Sequence, residues 1–262
     1  MKQIPNIFTL LNLIFGCLAI IFCLQTNLYV SFDQYGDVIL NQNGIPFINI
    51  PEKIFLASVF IGCAAVIDFL DGFVARLLKA SSEIGKQLDS LADVVTFGVA
   101  PGLIVYQFLR LSYAQQEDGL DVSMIWLLPA LLIPAAGAYR LARFNIDTEQ
   151  SDRFKGVPIP AAGLLIASFP LIYWYSSDAW LLQLMLNKWF WYILIVIISW
   201  LMISTLPMMT LKFKDYSIKS NLLKYCLLLV SIALAAVLQW MAVPVIFVVY
   251  VTLSLTFKSK QL

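Results

Sequence analysis

Two stretches, Val66-Ile67-Asp68-Phe69-Leu70-Asp71-Gly72-Phe73-Val74-Ala75-Arg76 and Gly85-Lys86-Gln87-Leu88-Asp89-Ser90-Leu91-Ala92-Asp93, set four carboxylates into apolar surroundings. The rest of the 262-residue chain explains why that is unusual. It is 61% hydrophobic and 13% charged, with a mean hydropathy of +0.84. A soluble domain has roughly 45–50% apolar and about 25% charged residues. The composition therefore excludes a water-soluble enzyme and a disordered chain. It predicts an all-α, polytopic membrane protein. A carboxylate near a bilayer interior costs several kcal/mol and usually faces a bundle interior or a wet cavity.

A bilayer core takes about 20 apolar residues per helix. About eight segments qualify, near residues 9–29, 53–79, 86–111, 124–145, 159–177, 188–210, 222–239 and 242–257. The even count puts both termini on one side, together with every one of the 17 Lys and Arg residues except Lys53, Arg110 and Lys188. The positive-inside rule makes that side the cytosol, so the expected location is a cell (inner) membrane with cytosolic termini. The first segment is read as retained rather than cleaved. Residues 30–52 form the longest connection, a polar loop on the far side with no expected catalytic part. Tyr173, Trp174, Tyr175, Trp180, Trp189, Trp191 and Trp240 suit an aromatic belt at the headgroups.

With a net charge of +1 and pI ≈ 7.6 there is no basic field for nucleic acid. The absence of histidine removes serine–histidine triads and His-ligated zinc. Cys17, Cys23, Cys63 and Cys226 lie in apolar runs without CxxC spacing and read as small buried hydrophobes.

Helical periodicity orders the acids. Asp68, Asp71, Gly72, Ala75 and Arg76 share one helix face; Gly85, Asp89 and Asp93 share one face of the next. A turn near 80–84 folds these faces together, toward the cytosolic end. Four carboxylates need compensating cations. An all-oxygen donor set favours Mg²⁺, Mn²⁺ or Ca²⁺ over zinc, and two ions bridging a phosphoryl group suit the charge count. Gly72, Ala75 and Gly85 leave room for a ligand or allow close helix packing. Arg76 can pair with a diphosphate or anchor the cytosolic edge. A divalent-cation transporter would use the same acids, but at mid-membrane on broken helices.

The pattern Asp68-x2-Asp71-Gly72-x2-Ala75-Arg76-x8-Gly85-x3-Asp89-x3-Asp93 resembles the signature of the CDP-alcohol phosphatidyltransferase family at all its fixed positions. At about 5% per residue type, a chance match at a given start is on the order of one in 10^10. Ile4-Pro5-Asn6-Ile7-Phe8-Thr9-Leu10-Leu11-Asn12, Ala92 to Pro101, Arg140 to Asn145 and Phe154 to Ala162 resemble the branch that transfers to serine.

The resemblance implies one membrane domain over 1–262, with a six-helix core at 1–210 and two further helices at 211–262. It implies transfer of a phosphatidyl group from CDP-diacylglycerol to the hydroxyl of L-serine with release of CMP; glycerol 3-phosphate or inositol phosphate are the alternative acceptors. Asp68, Asp71, Asp89 and Asp93 would hold Mg²⁺ or Mn²⁺, with Ca²⁺ a possible occupant, and Asp93 would be the general base. Asn6, Thr9, Asp68, Gly72, Ala75, Arg76 and Gly85 would bind the CDP moiety. Arg140, Arg143, Asn145 and Lys155 would meet the acceptor or a phosphate, or serve only as orientation charges. A homodimer among membrane lipids is expected.

Overall fold

Pro5 stands in the first turn of the first helix, where its missing N–H has no intrahelical partner to lose. In the computed structural model that helix, α1 (Ile4–Leu24), begins earlier than the apolar run suggests. It takes Asn6, Thr9 and Asn12 into helical register. The structure describes residues 4–41, 43–77, 82–117, 119–146, 154–209 and 217–256. Within α2 (Ile54–Leu77) the side chains of Ala75 and Arg76 lie outside the described set.

Ser82 opens α3 (Glu83–Asp93), its hydroxyl accepting from the Gly85 amide at 3.0 Å, a good N-cap residue where the predicted turn ends. The chain then widens into a π-helical stretch, Val94–Val99, before α4 (Ala100–Ala114). π-segments are rare and concentrate at functional sites; this one follows directly on Asp93. Gly16 of α1 packs against it so closely that a Cβ there would overlap Thr96 Oγ1 and lie 2.9 Å from Thr96 Cα.

The segment expected as one helix over 124–145 is divided. Short 3-10 turns occupy Met124–Trp126 and Leu128–Leu131, and α5 covers only Leu132–Ile146. Pro129 and Pro134 each remove an amide and favour helix starts over helix interiors. Beyond it come α6 (Ile159–Tyr175), α7 (Ala179–Met185), α8 (Lys188–Ile203), α9 (Ile218–Leu238) and α10 (Ala242–Thr256). Gln239, at φ +50, breaks the run between α9 and α10.

Among the described residues, four helical runs are long and apolar enough to cross a membrane: Pro5–Leu24, Ile54–Val74, Glu83–Ala114 and Lys224–Thr256. The α7–α8 pair, bent by 71°, makes a fifth if it is one span. Each expected segment falls on helix, but eight complete crossings are not established by length and composition.

Strands are small. β1 (Tyr29–Val30) pairs antiparallel with β2 (Ile48–Asn49), and β3 (Phe154–Lys155) with β4 (Pro207–Met208). The 30–52 loop folds onto the helix ends: Tyr173 donates to Asn49 Oδ1 at 2.6 Å, and Gln115 Nε2 donates to the Ile48 carbonyl. At the opposite end Gly156, at φ +76, lets the chain pass α8; a Cβ there would meet Met202 O at 2.5 Å.

Trp191 is fully buried and stacks on Phe108 with ring centroids 4.8 Å apart, while Tyr173 meets Phe108 edge-on. These two aromatics belong to the core, contrary to the belt expected from sequence. Trp180, Trp189 and Trp240 are exposed, as a belt requires. Of the cysteines only Cys23 is buried; Cys17, Cys63 and Cys226 face outward, which corrects the expectation of four buried thiols. An apolar run in lipid has an outer face as hydrophobic as its inner one, so composition cannot tell them apart.

Candidate active site

Asp68 and Asp71 stand three residues apart on α2, and Asp89 and Asp93 four apart on α3. Because α1 packs against both helices, the two faces turn toward each other beside it. One carboxylate oxygen from each of Asp68, Asp71 and Asp89 lies within 4.8 Å of the others, close enough for one cation to touch all three. Hard oxygen donors at this spacing fit Mg²⁺, Mn²⁺ or Ca²⁺.

Asp93 is not part of that triad. It is 7% exposed, as buried as Asp71, and within electrostatic reach of the other three. The sequence expectation that all four acids ligate metal thus separates into a triad of potential ligands and one further buried carboxylate.

Helix α1 organises the acids. Thr9, buried, donates from Oγ1 to Asp71 Oδ2 at 2.6 Å and also contacts the Pro5 carbonyl at 3.2 Å. Thr9 thus orients a carboxylate. One turn further, Asn12 Nδ2 reaches Asp93 Oδ1 at 3.4 Å. Thr96 Oγ1 donates to the Asn12 carbonyl at 3.2 Å, tying the π-segment to α1.

The other expected nucleotide-contacting residues fall into two groups. A Cβ at Gly85 would lie 3.0 Å from Asn6 Oδ1, so Asn6 and Gly85 meet where α1 and α3 begin. A Cβ at Gly72 would touch nothing within 4 Å, so this glycine leaves open space beside the acids instead of packing two helices. Ala75 and Arg76 continue the same face on α2, but their side chains lie outside the described residues.

The four candidate acceptor-binding residues separate sharply. Arg140 is 5% exposed, lies over the Phe144 ring at 5.8 Å, and sits within electrostatic reach of Asp93 and Tyr250. Its Nε has no hydrogen-bond partner. Arg143 instead donates from Nη1 to the Ile203 carbonyl at 2.7 Å and from Nη2 to the Ser204 carbonyl at 2.9 Å. These bonds satisfy the end of α8, a structural use for a cation near carbonyl groups. Asn145 Nδ2 donates to Ser90 Oγ at 2.8 Å and so braces α5 against α3. Lys155 lies in β3, its backbone paired with Pro207.

Three residues of this neighbourhood escape the sequence reading. Asn12 carries a usable signal, a lone amide inside an apolar helix. Thr96 carries only a weak one. Tyr250, on α10, lies in a featureless apolar run, and its proximity to Arg140 comes only from folding α10 back onto the bundle; its hydroxyl donates to the Met209 carbonyl at 3.1 Å.

The family profile of the CDP-alcohol phosphatidyltransferases matches residues 2–200. Over 113 residues the chain is 43% identical to a CDP-diacylglycerol–serine O-phosphatidyltransferase of Helicobacter pylori (strain J99), covering 42% of this chain and 44% of that enzyme. The Bacillus subtilis enzyme of the same name is 40% identical over 120 residues, 45% of this chain and 63% of its own length. An archaetidylserine synthase of Methanothermobacter thermautotrophicus is 36% identical over 132 residues, 50% and 52% of the two chains. The matched part spans about half the length of these relatives.

Proposed function

Because this chain belongs to the CDP-alcohol phosphatidyltransferase family, we propose that it transfers the phosphatidyl group of CDP-diacylglycerol to the hydroxyl of L-serine, at the cytosolic face of an inner membrane. The observation that carries the reading is the convergence of Asp68, Asp71 and Asp89 within 4.8 Å, with Asp93 next to them. The names of the relatives supply the lipid donor and the serine acceptor.

In this reading the serine oxygen attacks the phosphatidyl phosphorus in line. The new O–P bond forms as the bond from that phosphorus to the CMP oxygen breaks, and the serine hydroxyl proton passes to Asp93. Base catalysis needs a carboxylate within reach of the proton, and Asp93 is the acid left over from the triad. A divalent ion, Mg²⁺ or Mn²⁺, held by Asp68, Asp71 and Asp89, would neutralise the diphosphate and the charge that develops on its oxygens. Thr9 fixes Asp71 for that role, as hydrogen bonds to ligating carboxylates do. Asn6, Gly72 and Gly85 border the space for the nucleotide, and the resemblance adds Ala75 and Arg76 as the other residues that would bind it.

Arg140 is the group we assign to the serine carboxylate, since a buried guanidinium whose Nε has no hydrogen-bond partner suits a compact anion. Arg143 is committed to α8, which weakens the case for a phosphorylated acceptor such as glycerol 3-phosphate. The same reading carries cytosolic termini, a core at 1–210 with an added pair of helices at 211–262, and the homodimer implied by the resemblance.

Acceptor-dependent CMP release tests it. Purified protein receives CDP-diacylglycerol and Mn²⁺ or Mg²⁺ with serine, glycerol 3-phosphate, inositol phosphate or no acceptor. Release with serine that chelation abolishes is expected. Release with another acceptor overturns the serine assignment, and no release from folded protein with any acceptor overturns the reaction.

A further inference from the structure

Asn12 is fully buried on α1 and is held at two points, one on its backbone and one on its carboxamide. Thr96 Oγ1 holds the backbone carbonyl, and the side-chain Nδ2 donates to Asp93 Oδ1. This second bond sets the amide orientation, since turning the carbonyl oxygen toward a carboxylate would oppose two acceptors. The consequence is that Asn12 Oδ1, equally buried, accepts no hydrogen bond. Nearly all buried polar groups in native proteins find a partner, so an orphan of this kind calls for explanation.

A second orphan lies within electrostatic reach of the same carboxylate. Arg140 Nε is a buried donor without an acceptor, as Asn12 Oδ1 is a buried acceptor without a donor. Asp93 is the neighbour they share. The three groups complement an α-amino acid bearing a hydroxyl: an anion for Arg140, a donor for Asn12 and a hydroxyl proton for Asp93. We propose that Asn12 is the specificity residue that recognises the acceptor's ammonium group through Oδ1. This rests on the serine-transfer reading above and extends it from the carboxylate to the amine. The idea also explains why the amide must be locked: a free carboxamide could offer either end, whereas one tied to Asp93 offers only its oxygen.

The test compares L-serine with L-glycerate, which replaces the ammonium by a hydroxyl and keeps the carboxylate and reactive alcohol. Steady-state CMP release is measured on the full-length protein for wild type, Asn12→Leu and Asn12→Asp. Leucine removes the recognising oxygen, and aspartate keeps one while losing the donor to Asp93.

For Asn12→Leu the expected result is a rise in KM for serine of about 10- to 100-fold, as for loss of one hydrogen bond to a charged group. KM for CDP-diacylglycerol stays unchanged, and the serine-to-glycerate ratio of kcat/KM falls by a similar factor. Asn12→Asp retains the serine KM and loses kcat. An unchanged serine KM and ratio in Asn12→Leu overturns the assignment, as does an equal rise in KM for both substrates. Should the leucine variant fail to bind CDP-diacylglycerol, Asn12→Asp decides: a serine KM raised tenfold or more overturns the proposal. Wild type that releases no CMP with serine refutes the underlying reaction instead, so the two failures are distinct.

Discussion

Removing one carboxylate from the triad should make the metal-free protein more stable and the metal-loaded protein less so. Asp68, Asp71 and Asp89 present oxygens within 4.8 Å of one another, giving three like-charge pairs. At an effective dielectric of about 20 each pair costs on the order of 3 kcal/mol when ionised. Asp89→Asn eliminates two of the three. Asp68 and Asp89 are half-buried, so solvent screens much of this, leaving a visible gain of about 1–2 kcal/mol. For a chain of this size that corresponds to a rise of roughly 3–8 °C in Tm under chelation. Wild type should respond to Mg²⁺ or Mn²⁺ in the opposite sense. At about a hundred times Kd, binding to the folded state adds about 2.7 kcal/mol, or roughly 5–10 °C.

The two melting temperatures should therefore cross: the variant above wild type in chelator, below it in saturating metal. Tryptophan fluorescence during thermal unfolding in detergent reads both, since Trp191 is fully buried and changes environment on unfolding. A variant that melts below wild type in chelator, with the same metal response as wild type, would refute the view of the triad as a repulsive cation site.

Asp93→Asn should abolish CMP release while leaving CDP-diacylglycerol binding measurable by equilibrium binding; near-normal turnover would remove Asp93 as the base. Arg140→Gln should raise the KM for serine about tenfold or more, the loss of a charged hydrogen bond. Arg143→Gln should instead lower Tm with little change in that KM, because its bonds go to the Ile203 and Ser204 carbonyls. Gly16→Ala should cost about 1–3 kcal/mol by overpacking, seen as a lower Tm and reduced turnover, because its Cβ would collide with Thr96. Gly62→Ala on α2, which meets nothing within 4 Å, should be neutral in both assays.

Much of this protein is legible in its amino acids. The membrane class follows from an apolar content no soluble core needs, since lipid solvates the outside of each helix as well as its inside. The pairing of acids on two helix faces follows from the 3.6-residue period, which puts Asp68 beside Asp71 and Asp89 beside Asp93 whatever the rest of the chain does. The family follows from the same spacing, and the matched profile over residues 2–200 agrees.

Tertiary structure decided what each polar group is for. Arg140 and Arg143 are three residues apart, yet one is buried near Asp93 and the other closes the end of α8, because α5 meets different neighbours along those two directions. Thr9 turned out to hold a carboxylate, and Tyr250 joined Arg140 from the far end of the chain. Trp191 and Tyr173 went to the core and Trp189 to the surface, although all three mark helix ends in sequence. The reason is common to these cases. A periodic pattern fixes which residues share a face of their own helix, but which helix covers that face is a long-range property. Buried hydrogen-bonding groups must then find partners among whatever that packing brings near.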